Sequence, residues 1–335
     1  MDKKSVIYLV IIFTFVLIAT FLTIFFMKPS SCADGTIFDS CSKIKPYFCS
    51  EGKLIKNASV CGCSNSSNLQ GELCYSIYQF GPKNVTLNYT LRGKQKTIDF
   101  IVYSGLYDYL SKLPRYFDSS ENSTLVNFKL KMINEEYQRD FLSELFIKIT
   151  EITSNKEDQV RIAISLVQNI PFGNSDKKIR IGNIPLDYQR YPYEVLYDNQ
   201  GICSEKSELL FFLLREIGYG TASLYYNIEN HEAVGIKCPI KQSVNNSGYC
   251  FIETTGPSII TDDQTDYFGT AGKLKSNPKV IEISDGNSLS NNLVEYDDAD
   301  FLINLRMKTE INFFESLKWN NIKKKYGLIT FEYEF

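Results

Sequence analysis

Between Ser5 and Met27 the chain carries 23 residues without a charge, bracketed by Lys3 and Lys4 before it and Lys28 after it. A run of that length spans a bilayer, and no short apolar core with a small-residue cleavage site is evident, so it is read as an uncleaved anchor. Further on the apolar period falls to two. T-L-N-Y-T-L and T-I-D-F-I-V-Y alternate on either side of Arg92, Gly93 and Lys94, predicting a hairpin from Val85 to Val102. Pro114 and the polar stretch from Ser119 to Thr124 mark a surface loop. Helical spacing begins near Glu135, where Phe141, Leu142, Leu145, Phe146, Ile149 and Ile152 recur at threes and fours. A second helix runs from Lys156 to a stop at Pro171, with Asn155 as its N-cap. Ile181 to Arg190 is expected to be loop. A third helix starts at Ser204, buries Leu209, Leu210, Leu213, Leu214 and Ile217, and ends at Gly218. Three strands follow, in T-A-S-L-Y-Y-N-I, A-V-G-I-K and Y-C-F-I-E. Asp297 to Leu305 opens a helix continuing toward Trp319, and L-I-T-F-E-Y-E-F alternates as a terminal strand.

These changes divide the chain into an anchor (1–30), a small cysteine-rich module (31–76), a β-rich lead-in (77–134), an α+β core (135–275) and a C-terminal extension (276–335). A net charge of −3 offers no basic footprint, so nucleic acid is not an expected partner. Two lysines ahead of the apolar run against one behind it predict a cytoplasmic N-terminus in a single-pass membrane protein with its catalytic domain extracellular. Asn-X-Ser/Thr sequons at Asn57, Asn65, Asn84, Asn88, Asn122 and Asn245 all follow the anchor, which fits a glycoprotein. Cysteine use agrees. Cys32, Cys41, Cys49, Cys61, Cys63 and Cys74 are an even set among Gly, Ser, Asn and Lys, in a segment too poor in large apolar residues to build its own core. Their successive spacings of 9, 8, 12, 2 and 11 contain no C-x₂-C pair and no histidine lies nearby, so disulfides are expected rather than zinc. Their connectivity stays open.

Candidate chemistry gathers between Tyr191 and Pro257. Cys203 stands at the start of a helix, where unsatisfied N–H groups and the positive dipole end favour an attacking thiolate and can hold an oxyanion. His231 is the one histidine of the chain and precedes a strand. No second histidine completes an H-E-x-x-H zinc motif with His231 and Glu232. Glu253, expected on the next strand, would accept the imidazole Nδ1 proton and stabilise the imidazolium. Glu229 and Glu232 are alternative partners, although a strand neighbour of the histidine points to the opposite face. Cys238 and Cys250 flank the intervening loop, and a bridge between them leaves Cys203 as the odd free thiol. Their parity places them opposite the catalytic face, but a direct pairing would set Glu253 against Gly235, so a bulge or diagonal pairing is required. Asp262, Asp263 and Asp266 lack EF-hand spacing and are read as a solvated loop. No cofactor or metal is expected.

The segments G-I-C-S-E-K-S, N-H-E-A-V-G-I and F-I-E-T-T-G-P resemble the transglutaminase-like superfamily, in its membrane-anchored or secreted archaeal branch. The resemblance covers about Asn155 to Asp263 and is densest from Pro192 to Pro257. The cysteine-rich segment likewise resembles small modules beside enzyme domains on archaeal secreted proteins. What the superfamily implies is a papain-like α+β fold whose cysteine helix packs on an antiparallel sheet, with the Cys–His–acid triad falling on Cys203, His231 and Glu253. Many members use Asp as the acid, so Glu253 departs from the commonest pattern. The implied activity is acyl transfer on peptide or protein amides, with hydrolysis favoured because water is the abundant acceptor. A protein cross-linking transglutaminase and a catalytically inactive surface binding protein are the alternatives.

Overall fold

A computed structural model of the chain describes residue 8 and residues 12–15, 31–115, 124–181, 184–265 and 273–328. Among the described residues no helix is long and apolar enough to cross a membrane. The anchor expected over Ser5 to Met27 lies for the most part outside them, as do the sequon at Asn122, Asp266, most of the loop expected at Ser119 to Thr124 and nearly all of the expected terminal strand.

The cysteine-rich segment forms a small antiparallel sheet of β1 (Ser40–Cys41), β2 (Tyr47–Ser50) and β3 (Lys53–Lys56), and a hairpin of β4 (Asn68–Gln70) and β5 (Leu73–Tyr75). Bridges Cys32–Cys49, Cys41–Cys61 and Cys63–Cys74 staple it. Burial contributes little here, since Ile37, Val60 and Leu69 are exposed. Covalent closure compensates for the missing core.

Next comes the hairpin of β6 (Pro82–Leu91) and β7 (Lys94–Tyr103). Arg92 and Gly93 both take positive φ, 51° and 77°, the geometry a two-residue turn needs to match strand twist. Val85, Leu87 and Tyr89 on one strand and Ile98, Phe100 and Val102 on the other bury one face. Helices α1 (Ser104–Lys112), α2 (Leu125–Ile133), α3 (Glu136–Ile152) and α4 (Lys156–Asn169) follow. The Asn155 side chain accepts the Asp158 N–H at 2.9 Å, capping α4. Where loop is expected before Arg190, β8 (Lys178–Ile181) and β9 (Ile184–Asp187) make a short antiparallel hairpin, Lys178 pairing with Asp187 and Ile181 with Ile184.

After α5 (Pro192–Asp198), α6 (Cys203–Ile217) passes through the centre of the molecule, buried from Glu205 to Leu214. It packs on an antiparallel sheet of β10 (Thr221–Tyr226), β11 (His231–Lys237), β12 (Tyr249–Ile252) and β13 (Lys279–Ser284), in the order β12-β11-β10-β13. The fourth strand lies beyond the boundary expected at residue 275. Ile281 and Ile283 supply its buried face, so part of the segment read as an extension belongs to the core sheet. The helix expected from Asp297 to Trp319 is two, α7 (Val294–Arg306) and α8 (Phe313–Tyr326), joined by polar residues and gathered around Ile259, Leu302, Leu305 and Ile322. Asp262, expected to be solvated, is buried and receives both Arg306 Nη1 and Nη2, at 2.5 and 2.7 Å.

Candidate active site

Gly218, at φ 109°, closes α6, but its start is more elaborate. The Glu205 carboxylate turns back to accept the Ile202 N–H at 3.0 Å, satisfying one orphan donor of the first turn. It also accepts the Arg190 N–H at 2.7 Å and Arg190 Nη1 at 3.0 Å. Arg190 in turn holds Asp198 at 2.7 Å and the Gly173 carbonyl at 3.2 Å. The turn before the nucleophile is thus pinned from both sides. Cys203 and Ser204 occupy the first helical positions, whose N–H groups have no acceptor within the helix. Cys203 is half-buried and is the free cysteine among the described residues.

His231 is the first residue of β11 and pairs across the ladder with Tyr226, whose ring stands 6.4 Å from the imidazole. Its Nε2 lies 2.9 Å from Glu253 Oε2, and both side chains are buried. This differs from the expected Nδ1 contact. Glu253 approaches Nε2, and Cys203 also bears on the imidazole as a hydrogen-bond partner. Burial opposes the imidazolium, but hydrogen bonds to Cys203 and Glu253 and their negative charges outweigh it, raising His231 to about 10.

Glu253 is not on the strand, as expected, but one residue past the end of β12. Its Oε1 accepts the Thr254 N–H at 2.9 Å, the Thr255 N–H at 2.8 Å and the Thr255 hydroxyl at 2.7 Å. Burial pushes the carboxyl up, yet the imidazole and Thr255 prevail and hold it below the usual range. The register resolves the conflict seen in the sequence. Cys250 pairs with Ile236, and Cys238 donates its N–H to Gly248, so the Cys238–Cys250 bridge is diagonal. Extending that ladder sets Glu253 opposite Ala233, one diagonal step from His231.

The alternative acids are engaged elsewhere. Glu229 accepts the Lys275 and Ser276 N–H groups, both at 2.9 Å. Glu232 takes Lys129 Nζ at 2.6 Å and the Ser223 hydroxyl at 2.8 Å. Lys129 also reaches Glu208 of α6 at 3.7 Å, and all three side chains of this cluster are buried.

Sequence reasoning missed Arg190, Glu205, Thr255, Lys206 and Gln168 as supports of this site. One signal was readable: Glu205 stands three residues after Ile202, the position from which a carboxylate reaches back to the N-cap N–H. The others act through contacts distant in sequence.

No family model matches the chain, and no curated protein matches it. Among solved structures, calcium-bound LapG of Legionella pneumophila is similar at 15% identity, covering 55% of this chain and 99% of that one, with a TM-score of 0.27. A likeness that slight carries no argument about fold or chemistry.

Proposed function

We propose that the protein is a cysteine-dependent acyl-transfer enzyme of transglutaminase-like type, acting on peptide or protein amides by hydrolysis and held outside a cell membrane by its N-terminal apolar run. The observation that carries the chemistry is the buried imidazole with Glu253 Oε2 2.9 Å from Nε2 and the half-buried Cys203 as a further hydrogen-bond partner. A side chain that only filled space would need neither neighbour.

In this reading the Cys203 proton passes to His231, and the thiolate attacks the amide carbonyl carbon. The tetrahedral oxyanion that forms is held by the N–H groups opening α6. The imidazolium then gives its proton to the leaving amine as the C–N bond breaks, leaving a thioester. Water, deprotonated by His231, attacks the thioester, releasing the acid and restoring the thiol. Glu253 stays ionised throughout and orients the ring. The outward-facing location is supported by the uncharged run from Ser5 to Met27 and by four disulfides.

The test is alkylation of Cys203 by iodoacetamide against pH, in the wild type and in His231→Ala. The wild-type thiol should react readily near pH 7, and the variant should lose at least about tenfold there, since the thiolate loses its counter-charge. A thiol indifferent to the histidine removes the enzyme reading.

A further inference from the structure

Lys206 is wholly buried, three residues after Cys203 on the same face of α6. Lysines are almost never placed so without a partner. Its ammonium donates to the Ile170 carbonyl at 2.6 Å and the Gln168 carbonyl at 3.4 Å. These groups stand at the end of α4, where unpaired carbonyls and the negative end of the helix dipole favour a cation. The lysine stem reaches them by passing under the turn before the nucleophile. A Cβ on Gly201 would stand 3.1 Å from Lys206 Cγ and 3.2 Å from Val195 Cγ1, so a side chain there would crowd it.

Gln168 also faces the acid. Its Nε2 donates to the Glu253 carbonyl at 2.9 Å, and to the Ser258 carbonyl and hydroxyl, both at 3.2 Å. One end of one helix therefore holds two things at once: the nucleophile helix, through Lys206, and the backbone of the acid, through Gln168. The charge count points the same way. A thiolate, an imidazolium and a carboxylate leave one negative charge in a water-poor site, and a nearby ammonium restores neutrality.

We propose that Lys206, anchored on the carbonyls of Gln168 and Ile170, is a positioning residue that balances the charge of the Cys203–His231–Glu253 site and fixes the spacing of its nucleophile and acid. The proposal rests on reading that site as a thiolate–imidazolium pair. The charged groups bearing on the ammonium are Cys203 on its own helix and Glu253 after β12, and the carbonyls of Gln168 and Ile170 accept its protons. Burial lowers Lys206 to about 7 while Glu253 and Cys203 pull it back up, so its proton responds to their state.

The experiment is the pH profile of iodoacetamide alkylation on the full chain, in the wild type, His231→Ala and Lys206→Met, with folding checked by circular dichroism. Lys206→Met should move the acid limb of the profile up by about one unit, slowing alkylation about tenfold at a pH below it. A folded variant whose limb stays in place overturns the proposal. Should Lys206→Met fail to fold, NMR titration of the Lys206 side chain in the wild type decides instead. Its midpoint should fall once Cys203 is alkylated, because the thiolate's attraction is gone, and an unmoved midpoint overturns the proposal equally. The two readings separate cleanly. A wild-type thiol that depends on His231 but not on Lys206 leaves the enzyme standing without the strut, whereas indifference to His231 removes both.

Discussion

Glu253 and Glu208 are both buried carboxylates within reach of a cation, yet they carry opposite charge states. Glu253 has three donors on one oxygen and an imidazole on the other, and it is held ionised below the usual carboxylate range. Glu208 has Gln189 Nε2 at 2.9 Å and Lys129 at 3.7 Å on one oxygen, and among the described residues its Oε2 has no hydrogen-bond partner. Burial, only partly offset by Lys129, drives it up to about 8. Depth of burial does not decide between them. The number and closeness of donors does, because each donor replaces part of the hydration that burial removes. One carboxylate can therefore serve as a permanent charge beside an imidazolium, while the other remains largely neutral at pH 7.

The harshest way to probe the contrast is Glu253→Ala. It strips the acceptor from Thr254, Thr255 and His231 together and takes from the buried imidazolium its carboxylate partner. Breaking a buried pair from one side costs about 3–5 kcal/mol, and urea unfolding at pH 7 should show a loss of that order. The His231 midpoint should drop from about 10 toward the ordinary histidine range, followed by NMR. A loss under about 1 kcal/mol would mean that the donor cage does not hold the charge.

Glu208→Gln probes the other half. The folded carboxyl keeps its proton up to about 8, whereas the unfolded chain releases it near 4.5. Between those values the native state binds more protons, so wild-type stability falls as pH rises, by up to about 1.4 kcal/mol per unit for one full proton. The amide removes that slope. At pH 4 variant and wild type should match. At pH 8 the variant should be the more stable by about 4 kcal/mol, the slope summed over the interval, with the attraction of Lys129 already contained in the folded value. His231 adds a slope of the same sign between 6.5 and about 10, and Lys206 one of opposite sign between about 7 and 10.5. Subtracting the variant's curve from the wild type's isolates Glu208, and parallel curves would contradict the assignment.

The contrast also marks what the sequence could disclose. The hairpin turn at Arg92 and Gly93, the Asn155 cap and the Cys203 helix were legible because each is a local rule of period, turn or cap. Cysteine parity marked Cys203 as the odd thiol in the same way. β13 was passed over because K-V-I-E-I-S is short and lies far from the strand it joins. α2 was missed because its Lys129 and Lys131 interrupt a brief apolar pattern, and only the fold shows that Lys129 is buried against Glu232. The wrong ring nitrogen for Glu253 has a similar origin. Which nitrogen a carboxylate meets depends on ladder register and on the chain turning after Ile252, and a single sequence specifies neither.

The mildest perturbation is the sharpest, because it removes one donor and leaves the charge in place. Thr255→Val deletes the hydroxyl that gives Glu253 Oε1 its 2.7 Å hydrogen bond, while the Thr254 and Thr255 N–H groups remain. A hydrogen bond to a charged group is worth about 1.5–3 kcal/mol, and because two donors still hold the same oxygen the expected loss falls to about 1–1.5 kcal/mol by urea unfolding at pH 7. Thr254→Val is the matched control. Its hydroxyl reaches the Cys203 carbonyl and Ser207 at 3.4 Å and does not touch the carboxylate. Near-neutral pH should therefore show a smaller loss for Thr254→Val. The acid limb of unfolding separates the two further: with its folded-state carboxyl held low, Glu253 contributes stability above the unfolded carboxylate range and loses it as pH falls through the folded value. Removing a donor raises that folded value, so Thr255→Val should lose stability at a higher pH than wild type, while Thr254→Val follows the wild-type curve. If the two variants behave alike, donor count is not what separates Glu253 from Glu208.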